Sequence, residues 1–420
     1  MRKHSVFAAF GCLVLALAIG PAALVAQAEE LLESRLLFPL EDWHNHGSCI
    51  VECPNGDLMV CWFHGSGERK SDDVEILGCR RTKATESWST PFPMADTPGF
   101  PDTNCCMIID PQERLWLLWP TIQANLWESA LMKIKRSSNY QQTGQPPAWD
   151  VMDVMHVKHD GDFAATVDQK LAAYVSGLTL NSQEAGWVEH VKAQAADKLT
   201  RRLGWFTRAH PLLLDDGRML VGLYSDGFSF SLVGITDDLG KTWRYSEPIV
   251  GGGNIQPSFA RKQDGTIVAY MRDNGPPPQR VMVSESSDRG ETWSQVVDHP
   301  QLPNPGAGLE VITLADGDWL CIYNDLEDGR YSLAVSLSHD EGKTWPVTRH
   351  LEIDPSHQES FHYPSVIQAR DGTLHATYSY FVSEPNGGGK SIKYVHFTKG
   401  YVEAGDPRDF PHERNAREKL

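Results

Sequence analysis

The chain lacks any run of basic residues and any Cys-x-x-Cys pair. After its first 28 residues it also lacks any stretch of about eighteen consecutive apolar residues. With no clustered Lys and Arg and a formal charge of −17, it has no electrostatic footprint for tracking phosphates, so nucleic acid is excluded as a partner. The missing cysteine pairs remove zinc-ribbon and thioredoxin chemistry. No His/Asp cluster with metal-ligand spacing stands out, and neither a metal nor another cofactor is expected. Eight cysteines in 420 residues are too sparse for a disulfide-built fold, so the core must come from packing.

The first residues have a different character. Arg2 and Lys3 precede a largely apolar stretch from Val6 to Leu24, and Ala26-Gln27-Ala28 has the form of a cleavage site. Residues 1–28 are expected to be a signal peptide, leaving an exported protein, periplasmic or extracellular, with no membrane span after cleavage. Its loss takes the charge to −19 and leaves Cys49, Cys53, Cys61, Cys79, Cys105, Cys106 and Cys321. That count is odd, so at least one thiol has no partner within the chain.

Two repeats organise the remainder. The octapeptide S/T-x-D-x-G-x-T-W occurs at 236–243, 286–293 and 338–345. Asp238, Asp288 and Asp340 can accept bonds from the turn backbone. Gly240, Gly290 and Gly342 supply a positive φ, and Trp243, Trp293 and Trp345 anchor the turn beneath. The tryptophans are 50 and 52 residues apart, the length of a four-stranded propeller blade. The second repeat is strand, tight turn, strand. Its turns fall at Asn55-Gly56, Gln112-Glu113, Asp216-Gly217, Asp264-Gly265, Asp316-Gly317 and Asp371-Gly372. Six copies predict an all-β, six-bladed propeller over residues 29–403. Ile392–Phe397 should pair with a blade begun by Leu36–Leu40 to close the ring, and 404–420 should form a loose tail.

One step between turns is 104 residues instead of 48 to 57, so an insertion lies at about 155–205. Phe163, Val167, Leu171 and Val175 mark one helix, which Gly177 can end. Asn181 with Glu184 forms a capping-box start for a second helix, whose apolar face is Val188, Val191, Ala195 and Leu199. This helical pair is either a lid over the mouth or a surface decoration.

In a propeller the inner strands converge on the axis, and polar residues at their mouth ends form the natural site. Nine or ten residues before each turn come His46, Asn104, Gln256, Gly308 and Tyr363, while His210 is seven before its own. Arg272, Asn324 and Ser379 lie seven residues after a turn glycine, and Arg330 opens the strand leading to the third octapeptide. Arg272 and Arg330 can fork onto a carboxylate. Glu68, Asp72 and Asp73, in the loop after the first repeat, are candidate proton donors.

The octapeptides resemble the Asp boxes of the sialidase superfamily, and the resemblance covers nearly all of the mature chain. It implies a sialidase-like glycosidase acting on a terminal acidic sugar, sialic or uronic acid. It further implies Tyr363 as nucleophile, Asp72 or Asp73 as catalytic aspartate, and Arg272 and Arg330 as carboxylate ligands. Two positions depart from the family pattern. His46-Gly47-Ser48 stands where an R-I-P arginine would open blade one, so a protonated His46 would have to substitute. Gln256 stands where a glutamate would activate the tyrosine, which leaves His362 or Glu310 as candidate bases. The H-x-S opening is similar to that of divergent sialidase-like hydrolases. The other readings are a polysaccharide lyase or rhamnosidase-type propeller using His46, His210 and Tyr363, and a non-catalytic carbohydrate-binding propeller.

Overall fold

A computed structural model describes residues 31–142, 145–159, 162–384 and 387–407. The expected leader and the residues beyond 407 lie outside that set.

The described strands form six antiparallel sheets, and each contains one copy of the hairpin repeat. The six inner strands are His44–Glu52, Cys106–Ile109, Leu212–Leu213, Asn254–Arg261, Glu310–Thr313 and Glu359–Gln368. The last of these packs back on the first, which makes a ring. All six turns share one backbone shape. The residue at the glycine position has positive φ in Gly56, Gly217, Gly265, Gly317 and Gly372, and also in Glu113, the one copy without glycine. The ring closes as the hairpin repeat requires, with a shifted register. Glu33–Leu36 forms the outermost strand of the last blade and pairs with Gly389–Phe397, Leu36 opposite Lys393. Leu37 adds one further bond to Ile392 O (2.9 Å), and the strand ends there, not at Leu40. Both chain ends thus build one sheet, and its free edge is covered.

The three octapeptide turns repeat one hydrogen-bond set. Asp238 Oδ1 accepts from the Thr242 N–H (2.9 Å) and Oδ2 from the Thr242 hydroxyl (2.7 Å), while Gly240 N donates to Thr236 Oγ1 (2.8 Å). Asp288 and Asp340 repeat these bonds to Thr292 and Thr344. Beneath two of the turns Trp293 and Trp345 are buried.

The insertion contains helices Phe163–Tyr174 and Ser182–Ala196. Asn181 accepts from the N–H groups of Gln183 and Glu184, and Glu184 bonds back to the Asn181 N–H (2.8 Å), completing the capping box. Phe163, Val167, Leu171, Val191 and Ala195 pack into the same core as Trp205, Phe228 and Phe230. Leu199 does not extend this face, because the helix ends at Ala196 and Leu199 is exposed. The body of the helical pair is therefore seated on the blades, and its connecting segment shares a cavity with Asn274 and Gly275.

Residues 404–406, expected to open a loose tail, are held against the last blades. Lys399–Glu403 is a short helix, and Asp406 is tied to His350 through the N–H (2.8 Å) and the ring (2.6 Å).

The turn bonds hold Asp238 down to about 2, led by the Thr242 N–H, and they lower Asp288 and Asp340 in the same direction. A carboxyl held below its unfolded value of 3.8 contributes stability that is complete above that pH and lost as pH falls toward 2. Asp288→Ala should cost about 1 kcal/mol at neutral pH. Chemical denaturation should show that deficit shrinking below pH 4. A deficit unchanged down to pH 2 would refute the carboxylate account.

Candidate active site

The mouth is assembled by a kink at the start of the inner strands. The pairing register shifts between His46 and Cys49, between Ile255 and Ser258, and between His362 and Ser365. Nine residues before the turn position, Gly47, Asn104, Gln256 and Tyr363 have φ of 64°, 44°, 57° and 47°. A β-bulge of this kind re-aims a side chain out of the ladder. For the three non-glycine residues the left-handed backbone costs about 1–2 kcal/mol each. Strain repeated at equivalent positions around one axis marks the site.

Tyr363 sits at its centre. Its hydroxyl receives Arg272 Nη1 at 3.1 Å and Gln256 Nε2 at 3.2 Å. The same Gln256 nitrogen lies 3.2 Å from the Tyr224 hydroxyl, which takes Asn104 Nδ2 at 2.7 Å. Arg330 stands over the Tyr363 ring at 5.8 Å, donating to His362 Nδ1 (2.8 Å) and Gly306 O (2.7 Å). Arg272 Nη2 donates to Asn274 (3.2 Å).

A third guanidinium, Arg208, lies 5.4 Å from the same ring and donates to Pro364 O. The hairpin register did contain it, since Arg208 is nine residues before Gly217. The polar His210 diverted attention from it. Gly308, at the same register two blades further on, provides the space. A Cβ there would stand 2.5 Å from Tyr363 Cδ1 and 2.8 Å from Arg208 Nε. Among the described residues, none of Arg208, Arg272 and Arg330 is ion-paired with a carboxylate.

The opposite wall is aromatic. The His46 ring lies 4.4 Å from Tyr363, 5.4 Å from Phe63 and 5.3 Å from Phe381. His46 Nδ1 bonds Ser379 Oγ (2.9 Å), which also takes the Gly47 N–H (3.0 Å). Burial, and then the charges of His362, His44, Arg330 and Arg208, push His46 well below its usual value. It is therefore neutral and does not replace the missing arginine. Burial and Arg330 do the same to His362.

Four expected roles change. His210 is at the other end of the axis, because its strand begins after the mouth; its ring bonds Glu310 at 2.8 Å. Glu310 is consequently committed there and cannot serve Tyr363. Asn324 is fully buried and donates to Ser332 O and Phe361 O, a structural duty. Asp72 and Asp73 are exposed on their loop, bonded to Asn125 (2.7 Å) and Ser66 (2.8 Å). Glu68 of the same loop does reach the wall, 3.0 Å from His44 Nε2. Asp226, which the sequence reading missed, follows the strand Met219–Ser225 that carries Tyr224. Burial raises its pKa against the pull of Arg272 and Arg69.

His44, His46 and Glu68 have donor atoms within 4.8 Å of one another. Their chemistry does not favour a metal. Lys390 Nζ lies 3.3 Å from His44 Nδ1, which fixes the imidazole proton on Nε2 facing Glu68 and leaves no lone pair there.

The BNR repeat-like domain model matches residues 56–376. The chain belongs to that family. Its fold is that of the sialidases. The intramolecular trans-sialidase of Ruminococcus gnavus is 12% identical with a TM-score of 0.64, over 87% of this chain and 96% of that one. The NanB sialidase of Streptococcus pneumoniae is 12% identical with a TM-score of 0.63, over 88% and 71%. A protein of unknown function from Dyadobacter fermentans is 15% identical with a TM-score of 0.64, over 88% and 99%. These likenesses establish the fold. No curated protein matches the sequence.

Gly308→Ala should displace Tyr363 and Arg208 and cost about 1–3 kcal/mol through overpacking. Gly186→Ala, on an exposed helix face where a Cβ meets nothing, should be neutral or stabilising. Paired thermal melts test this; equal stability of the two variants would show that the mouth is not tightly packed around Tyr363.

Proposed function

We propose that this family member is an exo-acting glycoside hydrolase that removes a terminal acidic sugar, sialic or uronic acid, from a glycan or polysaccharide. One observation supports it above the others: three guanidiniums surround one tyrosine, and among the described residues none is ion-paired with a carboxylate. Such a pocket needs an anion. The trans-sialidase and sialidase names of structurally similar proteins point to the same substrate class.

In this reading Arg272 and Arg330 hold the sugar carboxylate, with Glu68, Asn104 and the aromatic wall bounding the ring. The Tyr363 oxygen attacks the anomeric carbon. Its proton passes to solvent water, while the N–H donors of Arg272 and Gln256 stabilise the developing phenolate. Gln256 is thereby a positioning residue, not a base. Asp226, whose burial favours the protonated form, gives its proton to the leaving oxygen as the glycosidic bond breaks. Water then releases the sugar from tyrosine. Asp72 and Asp73 are the other proton donors to be tested.

Purified full-length chain should release free acidic sugar from sialosides or uronic-acid oligosaccharides, with activity unaffected by chelator. Tyr363→Phe should lower kcat by about a hundredfold or more. Arg272→Ala should raise KM by about thirtyfold. With wild type, kcat should fall as pH rises through the Asp226 value, and Asp226→Asn should lose that limb while Asp72→Asn and Asp73→Asn keep it. Carbohydrate binding without turnover, weakened by Arg272→Ala, would make the chain a binding propeller. An unsaturated uronate product would make it a lyase.

A further inference from the structure

The axis behind Tyr363 is filled with charge that the mouth chemistry does not use. Glu310 is buried there; its Oε1 accepts both the His210 N–H and ring Nδ1 (2.8 Å each), and its Oε2 accepts Val366 N (2.8 Å). The other ring nitrogen of His210 lies 2.7 Å from Ile50 O and 3.3 Å from Cys49 Sγ. The Cys49 sulfur also accepts the Met107 N–H (3.2 Å). Directly across the strand pair stands Cys61, in register with Cys49. His210, with Val51, Ile109 and Ile367, lines a cavity of about 400 Å³ that opens at the end of the axis away from Tyr363. All seven described cysteines are free and buried.

We propose that Cys49 is a modification site for small peroxides, a nucleophilic sulfur in a Cys49–His210–Glu310 relay with Cys61 as its resolving thiol. This proposal stands apart from the glycosidase reading, because no group in it touches the sugar pocket.

The relay has the order that activates a sulfur nucleophile: an imidazole beside the sulfur, oriented by a carboxylate on its other nitrogen. Charge separates the thiols. Burial opposes ionisation of Cys49, yet the Cys61 bond and the His210 charge outweigh it and bring the thiol to about 5. Burial pushes Cys53 up to about 12 and raises Cys61, Cys79, Cys106 and Cys321. Burial likewise opposes charge on Glu310, but His210 and Arg208 hold it at about 2. The groups facing Cys49 are thus His210, Glu310 behind it, and the uncharged thiols of Cys61 and Cys106.

In the first step the Cys49 thiolate attacks one peroxide oxygen. The S–O bond forms as the O–O bond breaks, sulfur loses two electrons to the peroxide, and the departing hydroxide takes the proton from His210 to leave as water. In the second step the Cys61 sulfur attacks Cys49. The S–S bond forms, the S–O bond breaks, and the Cys61 proton leaves with the hydroxide as water. Directly opposed residues in an antiparallel pair have Cα atoms about 4.5–5.5 Å apart, within disulfide reach.

The test uses the reduced, folded full-length chain at pH 6. Hydrogen peroxide is added, free thiols are then alkylated in denaturant, and peptides are quantified by mass spectrometry. A Cys49–Cys61 linkage should form about tenfold or more faster than Cys53, Cys79 or Cys321 is lost. Cys61→Ser should leave a Cys49 sulfenic acid that dimedone traps. His210→Gln should slow Cys49 oxidation about tenfold. A readout independent of variants is wild-type alkylation by iodoacetamide, whose rate at Cys49 should already be level at pH 7. Cys49 reacting no faster than the other buried thiols, or rising with pH as an ordinary thiol does, would overturn the proposal.

Discussion

The centre of the mouth depends on backbone kinks where four of the inner strands meet the axis. A straight strand would alternate its side chains between the faces of the blade and send none along the axis. The bulges at Gly47, Gln256 and Tyr363 break that alternation, and the positive φ at Asn104 does the same in blade two. The strain is tolerable because each kinked residue is locked afterwards: Tyr363 by Arg272 and Gln256, Gln256 by Tyr224, and Tyr224 by Asn104. The ring of blades supplies rigidity, and its closure by Glu33–Leu36 keeps the four kinks facing one another.

The axis is arranged by charge. At the mouth, guanidiniums gather without carboxylate partners, and His46 and His362 are driven neutral by burial and by those same cations. Below Tyr363 the sign changes. Arg208 faces the tyrosine ring above and lowers the pKa of Glu310 below, and Glu310 in turn charges His210. Buried charges of this kind are held only where they are paired or hydrogen-bonded. The guanidiniums of the mouth are hydrogen-bonded but have no ion-pair partner among the described residues, and that asymmetry separates a site waiting for an anion from a structural column.

Much of this was legible from residue order. The octapeptides and the Asn-Gly and Asp-Gly turns are local signals, because a tight turn depends on the conformational freedom of two or three adjacent residues. The capping box at Asn181 and Glu184 was readable for the same reason. Tyr363, Gln256, Asn104 and His46 were found by carrying that register from blade to blade. The readings that failed were those in which side-chain type replaced register. His210 was chosen for its polarity where Arg208 held the equivalent place, and Asn324 was read as a ligand although its amide is spent on backbone carbonyls.

The sequence by itself determined the number of blades, the turns, the helices of the insertion and the register positions that open on the mouth, because each follows from backbone preferences repeated at fixed spacing. Only the tertiary structure decided how those residues behave. It made His46 neutral, turned Gln256 into a donor, raised the pKa of Asp226, and placed Cys49 beside His210, 161 positions away in the chain. Protonation and partnership depend on desolvation and on charges brought in from other blades, and no local spacing carries that information.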